Sequence, residues 1–436
     1  MTTTSGSSKR AAVSSLLGTT IEWYDFFIYG NAAALVLGPQ FFPRTSSVAA
    51  TLAAYGTFAV GFLARPLGGI IMGHFGDRVG RKRLLVLSLL LMGFATCAIG
   101  LLPGYATIGV WAPVLLVVLR LAQGFGVGGE WGAAVLMSVE HAPAGKRGLF
   151  GAFPQMGLPA GIILSNGVFL AVTASVSHEA FLSWGWRVPF LLSAVLIVVG
   201  LVILLKLAES PEFAQVRARN AVVRSPLITV LRRQPRAVLL CSGASVAAPA
   251  LGYLVLIYLL SYGTAELGLS SMTMLSVVLA GSVVWLAAIA GFAALSDRHG
   301  RKRVFVGGAV LTTVWAVPFF LLVDTASVPL LVIAVVVGCS GIAAMAGPQA
   351  ALVADSFAPE VRYSGSSIAY QVGSVLGGAL APIIATALMT SSGTSLSVSL
   401  YMAALGLVSL VSMAVLAEPE STTTATSAAQ AVREGS

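Results

Sequence analysis

Of 436 residues, 57% are hydrophobic and only 9% are charged, against about 25% charged in soluble domains, which excludes a water-soluble fold and makes lipid the solvent. The net charge of +9 does not point to a nucleic-acid partner, because 21 of the 25 Lys and Arg residues fall in the tails and in alternate loops on one side. That asymmetry belongs to a multi-pass chain with both termini in the cytoplasm.

In chain order, residues 1–13 are polar and are expected to form a disordered cytoplasmic N-terminus. The apolar run that follows carries Glu22 and Asp25 and has no small-residue cleavage site, so it reads as a retained first helix and not a signal peptide. A spanning helix needs about 20 predominantly apolar residues. Twelve such segments emerge, at 14–38, 48–73, 83–103, 108–139, 148–175, 187–208, 237–263, 271–295, 303–323, 328–354, 363–390 and 396–417. The charged stretch 209–236, with Pro211, Pro226 and Pro235, divides them as a cytoplasmic linker into an N-terminal half (14–208) and a C-terminal half (237–417). The Ser/Thr/Ala-rich residues 418–436 are expected to be a disordered cytoplasmic tail. The predicted fold is therefore all-α and integral to the membrane, with twelve transmembrane helices in two pseudo-symmetric six-helix halves.

An internal duplication supports that division. Asp77, Arg78, Gly80, Arg81, Lys82 and Arg83 recur as Asp297, Arg298, Gly300, Arg301, Lys302 and Arg303, all at an offset of 220. A second pair of segments, Glu140 to Arg147 (EHAPAGKR) and Asp355 to Arg362 (DSFAPEVR), each sets an acid seven residues before an arginine with Ala-Pro between. Half-length repeats in an apolar chain mark a transporter that works around a site at the repeat interface. Gly69 and Gly73 form a small-xxx-small pair suited to tight helix packing.

Five charges fall inside apolar segments: Glu22, Asp25, Arg65, Arg120 and Glu130. Each costs at least about 2.5–3.5 kcal/mol to insert, so each is a candidate functional group. Three acids against two bases leave one acid in excess, the group a proton-coupled carrier needs. Asp25, then Glu130 and Glu22, are the proton-coupling candidates. Arg120 and Arg65 either pair with these acids as fixed packing partners or present a bidentate guanidinium to a substrate carboxylate. Helical spacing adds Tyr29, Gln123, Trp131, Gln155 and Asn166 to the expected binding face, and Tyr370 and Gln371 are candidates from the second half. Cys97, Cys241 and Cys339 lie in apolar segments without metal or disulfide spacing. GFGVGG (Gly124 to Gly129) follows no strand and is no nucleotide fingerprint. No metal, no cofactor and no enzymatic centre is expected.

The stretch GHFGDRVGRKR (Gly73 to Arg83) resembles the loop between helices two and three of the major facilitator superfamily. GTTIEWYDFFIYG, FLARPLGG, RLAQGFGVGGEWG and WGWRVPFLLS resemble helices one, two, four and six of its metabolite:proton symporter branch, which includes shikimate, 2-oxoglutarate, citrate and proline/betaine carriers. The resemblance covers residues 10–420. It implies a monomer in the bilayer of the bacterial inner membrane that takes up a small organic acid such as shikimate together with protons. It also implies a conformational latch of Gly73, Asp77, Arg78, Gly80, Arg81, Asp297, Arg298 and Arg301, in which Asp77 caps the start of helix eleven. The second copy of the latch, with Ala293 where the first has Gly73, is expected to be the weaker. Uptake of a zwitterion such as proline or betaine, efflux of drugs by an antiporter of the same fold, and nutrient sensing without net transport stay open as alternatives.

Overall fold

The computed structural model describes residues 5–43, 47–206, 208–219 and 223–417. Where water is absent, a spanning backbone must satisfy its own N–H and C=O groups, and a helix does so within one segment. The described residues accordingly form helices: α1 (Ser5–Ala32), α2 (Ser47–Val79), α3 (Arg81–Leu101), α4 (Trp111–Glu140), α5 (Arg147–Ser175), α6 (Arg187–Leu205), α7 (Pro235–Ala265), α8 (Ser271–His299), α9 (Arg301–Val323), α10 (Val328–Asp355), α11 (Arg362–Ser392) and α12 (Ser395–Val415). Ten of them, α3 to α12, are long and apolar enough to cross a membrane, and the long α1 and α2 complete twelve. Large apolar side chains such as Leu63, Phe94, Leu239 and Ile383 stand more than 60% exposed on the outer surface, an arrangement only lipid accommodates.

The span boundaries differ from expectation at the ends that carry the basic loops. Residues 5–13 are helical rather than disordered, because Ser8, Ala11 and Ala12 are buried and Ser15 Oγ donates to Ala134 O at 2.8 Å, so small side chains dock this turn on α4. Residues 1–4 and 418–436, expected as disordered, lie outside the described residues. The helices α2 and α8 run on to Val79 and His299, and then Gly80 (φ +122°) and Gly300 (φ +96°) break the chain in a conformation that favours glycine. The linker contains two helices, Pro211–Ala218 and Pro226–Arg233, each starting on a proline at its first turn. A π-helical turn at Ala33–Leu37 directly follows α1, and α7 contains one at Leu254–Tyr258. Their starts are 221 residues apart, close to the repeat offset.

Glycines weld α2 to α4. A Cβ on Gly68 would lie 2.0 Å from Phe125 O, on Gly124 2.0 Å from Gly61 O, and on Gly128 2.0 Å from Arg65 O. Such backbone approaches admit only glycine. Gly128→Ala meets a carbonyl that cannot rotate away, and an overpacked site of this kind costs about 1–3 kcal/mol. A lowered melting temperature in detergent is the expected result, and unchanged melting would count against this packing. Between the halves, Gly69 packs on Gln371 and Gly73 on Ser364 of α11.

Candidate functional site

Between the halves lies a small cavity. It is lined from the first half by Trp23, Trp131, Pro154, Gln155 and Leu158, and from the second by Ala248, Pro249, Tyr253, Trp285, Ala346, Gln349, Tyr370 and Ser374. Trp131 and Tyr370 stack face to face across the two halves, with centroids 3.6 Å apart and planes 3° from parallel. Amides link the two walls: Trp131 Nε1 donates to Gln155 Oε1 at 2.8 Å, Gln155 Nε2 to Gln349 Oε1 at 3.4 Å, and Gln349 Nε2 to Ser245 Oγ at 3.0 Å. Among the described residues, the buried Tyr253 hydroxyl and Trp285 indole N–H have no hydrogen-bond partner. Both are donors on the cavity wall, and a buried donor left unmatched is costly. Among the described residues lining the cavity, none is charged.

The buried charges sit in the first half, behind this wall. Trp23, Phe26, Phe62 and Tyr253 form an aromatic cluster, with Phe26 and Phe62 packed edge to face at 4.9 Å. Arg65 lies over Trp23 and Phe62, at 5.3 and 5.5 Å from the ring centroids, and pairs with Glu22 at 3.7 Å. Arg120 lies 3.9 Å from the centroid of the Tyr29 ring, whose hydroxyl is bonded to Thr57 Oγ1. Arg120 Nη1 donates to Gln123 Oε1, and Nε reaches Thr57 O at 3.4 Å. Both arginines line a second, smaller space with Phe26, Gly61, Gln123, Gly124 and Val127. Asp25, fully buried, turns away from the central cavity toward α3 and α6 and accepts from Thr96 Oγ1 at 2.9 Å and Ser193 Oγ at 2.5 Å. Among the described residues neither carboxylate oxygen of the buried Glu130 has a hydrogen-bond partner, and the group sits against Gly18 of α1.

At the basic end the two repeat motifs meet as one network. Asp77 accepts from the N–H groups of Tyr363 (3.1 Å) and Ser364 (2.9 Å) at the start of α11. Asp297 accepts from those of Gly148 and Leu149, both at 2.8 Å, at the start of α5. A carboxylate there satisfies orphan donors and meets the positive end of the helix dipole. Arg81 reaches Asp77 and Glu140 at 3.6 and 3.7 Å, and Arg301 reaches Asp297 and Asp355 at 3.5 and 2.6 Å. Arg147 joins Asp355 and Glu212, each at 2.9 Å, and Arg362 binds Glu212 from the other half. Glu212 thus clasps both halves from the linker. Partial burial alone would raise its proton affinity, but Arg362 and Arg147 outweigh this and hold its carboxyl below the usual range. The clasp therefore stays charged at neutral pH and is lost only when acid protonates Glu212 through that lowered value.

The sequence-predicted residues divide accordingly. Trp131, Gln155 and Tyr370 come together on the central cavity. Arg120, Arg65, Tyr29 and Gln123 lie behind the aromatic cluster instead of on that cavity, because Phe26 and Phe62 occupy the intervening space. Asn166 bonds to Asn31 at 3.0 Å, joining α5 to α1. Gln371 donates to Gly128 O at 2.7 Å and clamps α11 to α4. In the latch, Arg78 and Arg298 point outward and are exposed, one residue past the inward-facing acids. The second copy is not the weaker one: Asp297 makes two caps as short as any in the network, because Gly148 on the facing helix supplies the close approach that Gly73 supplies in the first copy. Sequence reasoning passed over Thr96, Ser193, Glu212 and Gln349. A lone amide in the apolar run AMAGPQAALVA was a usable signal for Gln349. Serines and threonines, common in spanning helices, gave none for Thr96 and Ser193, and Glu212 was one charge among many in the linker.

The model of the Major Facilitator Superfamily matches residues 15–370 and 286–434. The chain is 43% identical over 417 residues to the inner membrane metabolite transport protein YhjE of Escherichia coli (strain K12), covering 93% of each. It is 42% identical over 400 residues to the shikimate transporter of the same organism, covering 91% of each, and 34% identical to the proline/betaine transporter of Salmonella typhimurium (strain LT2), covering 94% of this chain and 84% of that one. The solved proton:xylose symporter XylE superposes with a TM-score of 0.76 over 95% of this chain and 97% of its own, at 18% identity, a likeness of fold. A chain of twelve membrane helices in two matched halves, with its repeat motifs locked together at one end, thus belongs to the Major Facilitator Superfamily, whose members are membrane transporters and not enzymes.

Proposed function

We propose that the protein takes up a small organic acid, shikimate or a related hydroxylated carboxylate, together with protons by alternating access, as a monomer in the bacterial inner membrane. The observation that carries this reading is the central cavity. Tyr253 and Trp285, whose Oη and Nε1 have no hydrogen-bond partner among the described residues, line it together with the amides of Gln155 and Gln349, and uncharged donors and acceptors of this kind suit a ring bearing hydroxyl and carboxylate groups. The relationship to a shikimate transporter supports the same class. Behind the aromatic cluster, Arg120 is the candidate for the carboxylate and Asp25 or Glu130 for the proton. The basic end faces the cytoplasm, so the locked network beneath the cavity holds the inner gate shut, and the substrate enters from the opposite side.

A second reading, uptake of a zwitterionic osmolyte, rests on the same walls. Trp23, Trp131, Tyr253, Trp285 and Tyr370 place five aromatic rings around the cavity, and aromatic faces attract quaternary ammonium groups. Proteoliposomes carrying the purified protein, offered shikimate, simple carboxylates and glycine betaine with and without an inside-alkaline pH gradient, separate the two. Gradient-driven accumulation of the hydroxylated acid is expected. Accumulation of betaine alone would establish the second reading, and indifference to the gradient would end the proton-coupled one.

A further inference from the structure

Asp25 and Arg120 do not touch, yet a continuous chain of hydrogen bonds joins them. Arg120 Nη1 donates to Gln123 Oε1, Gln123 Nε2 donates to Thr96 Oγ1 at 2.8 Å, and Thr96 Oγ1 lies 2.9 Å from Asp25 Oδ2. Its polarity is set by chemistry. A guanidinium has no acceptor, so the Gln123 carbonyl must face Arg120 and its NH2 must face Thr96. The Thr96 oxygen therefore accepts from Gln123 and keeps one proton to donate. That proton has two acceptors in reach, Asp25 Oδ2 and the Met92 carbonyl at 3.0 Å.

We propose that Thr96 is a two-position switch that transmits the protonation state of Asp25 to Arg120. It is a positioning residue, and the inference rests on the reading of Asp25 as the proton carrier. With Asp25 ionised, Thr96 donates to the carboxylate. Each bond in the series polarises the next, so Gln123 holds the guanidinium firmly. When a proton lands on Oδ2, that proton is donated to Thr96 Oγ1 and the Thr96 hydroxyl turns to Met92 O. No hydrogen bond is lost, but the chain no longer ends on an anion and the hold of Gln123 on Arg120 weakens. Arg120 then turns more readily toward a substrate carboxylate, so proton and acid bind with mutual advantage, as symport requires. Oδ1 is the poorer landing site. It accepts from Ser193, whose hydroxyl, unlike that of Thr96, has no second acceptor already at hydrogen-bond distance among the described residues, so a proton there would make the Ser193 side chain rearrange before its hydroxyl is matched again.

The titratable groups around Asp25 are Tyr24 beside it on α1, Cys97 on α3, and Glu130 on α4. Among the described residues no cation lies within ion-pair distance of it, and α6 presents the Ser193 hydroxyl. All of these remain in place when Thr96 is changed.

The test compares pH-gradient-driven accumulation with counterflow exchange of the same substrate in proteoliposomes. Thr96→Val keeps the volume and deletes the hydroxyl. Its ratio of accumulation to exchange is expected to fall about tenfold, the worth of a hydrogen bond to a charged group. Should that chain not insert, Thr96→Ala makes the same deletion. Thr96→Ser restores the hydroxyl and is expected to restore the ratio, which a packing defect would not allow. Ser193→Ala, which removes the bond to the other oxygen, is expected to change the ratio far less. A wild-type ratio in Thr96→Val, or equal loss in Ser193→Ala, overturns the switch. Gradient-driven accumulation surviving in Asp25→Asn overturns instead the reading on which it rests.

Discussion

Replacing Asp25 by Asn is expected to abolish accumulation of the substrate against its gradient while exchange of internal for external substrate persists. The reason is electrostatic. Asp25 is fully buried, and among the described residues its hydrogen bonds come from two neutral hydroxyls, those of Thr96 and Ser193. Carrying an anion through reorientation in a low-dielectric medium is expensive, and a proton removes that charge. Asn imitates the protonated state permanently, so the carrier can still turn over loaded in both directions but no longer requires or delivers a proton. The shape of the site is nearly preserved, since the amide is isosteric and its oxygen can accept from Ser193. The decisive comparison is uphill uptake against counterflow in the same vesicles. Uphill uptake at the normal level would move the proton to Glu130, which among the described residues is the other buried acid without a bonded cation and whose two oxygens have no hydrogen-bond partner there.

The second large effect is expected at the latch. Asp77 gives one oxygen to each of two N–H groups at the start of α11, and its charge also meets the helix dipole and Arg81. Asn keeps one acceptor and turns an NH2 toward the second N–H. Loss of such a cap costs about 0.5–2 kcal/mol, and a change of one or two kcal/mol shifts a two-state ratio by about 5–30-fold. Asp77→Asn should therefore insert and reach the membrane normally, open more readily at the basic end and transport more slowly. Labelling of a cysteine placed at Ser364, which packs against Gly73 when the end is closed, is expected to accelerate. Asp297→Asn should do the same to the start of α5 with similar size, because its two caps are equally short. Unchanged labelling in both variants at normal surface level would remove the latch from the cycle.

The fold was legible because its determinants are local and repetitive. Twelve apolar runs and a 220-residue offset need no tertiary information, and the span boundaries agree with the helices to within a few residues along most of the chain. The early start of α1 was hidden because small polar residues such as Ser8 and Ser15 look like a disordered tail until a neighbouring helix buries them. Legibility of the site was uneven. Charges in apolar segments announce themselves by their cost, so Asp25, Arg65, Arg120 and Glu130 stood out. Which of them shared a face with the cavity was not readable, since helical spacing gives an azimuth and not the rotation of one helix against the next. Phe26 and Phe62 turned out to stand between the arginines and the cavity, and Gln371 turned out to be a helix clamp.

The sequence by itself determined that the chain crosses a membrane twelve times, that its halves are copies, and that it carries more buried acid than base, since hydropathy, repetition and charge count are properties of the string. Only the tertiary structure decided which groups meet. It joined Asp77 to α11 and Asp297 to α5, set Glu212 of the linker between Arg147 and Arg362, and turned Asp25 toward Thr96 and Ser193. Those pairings span more than seventy residues in most cases and depend on helix rotations of a few tens of degrees, which packing sets and composition does not record.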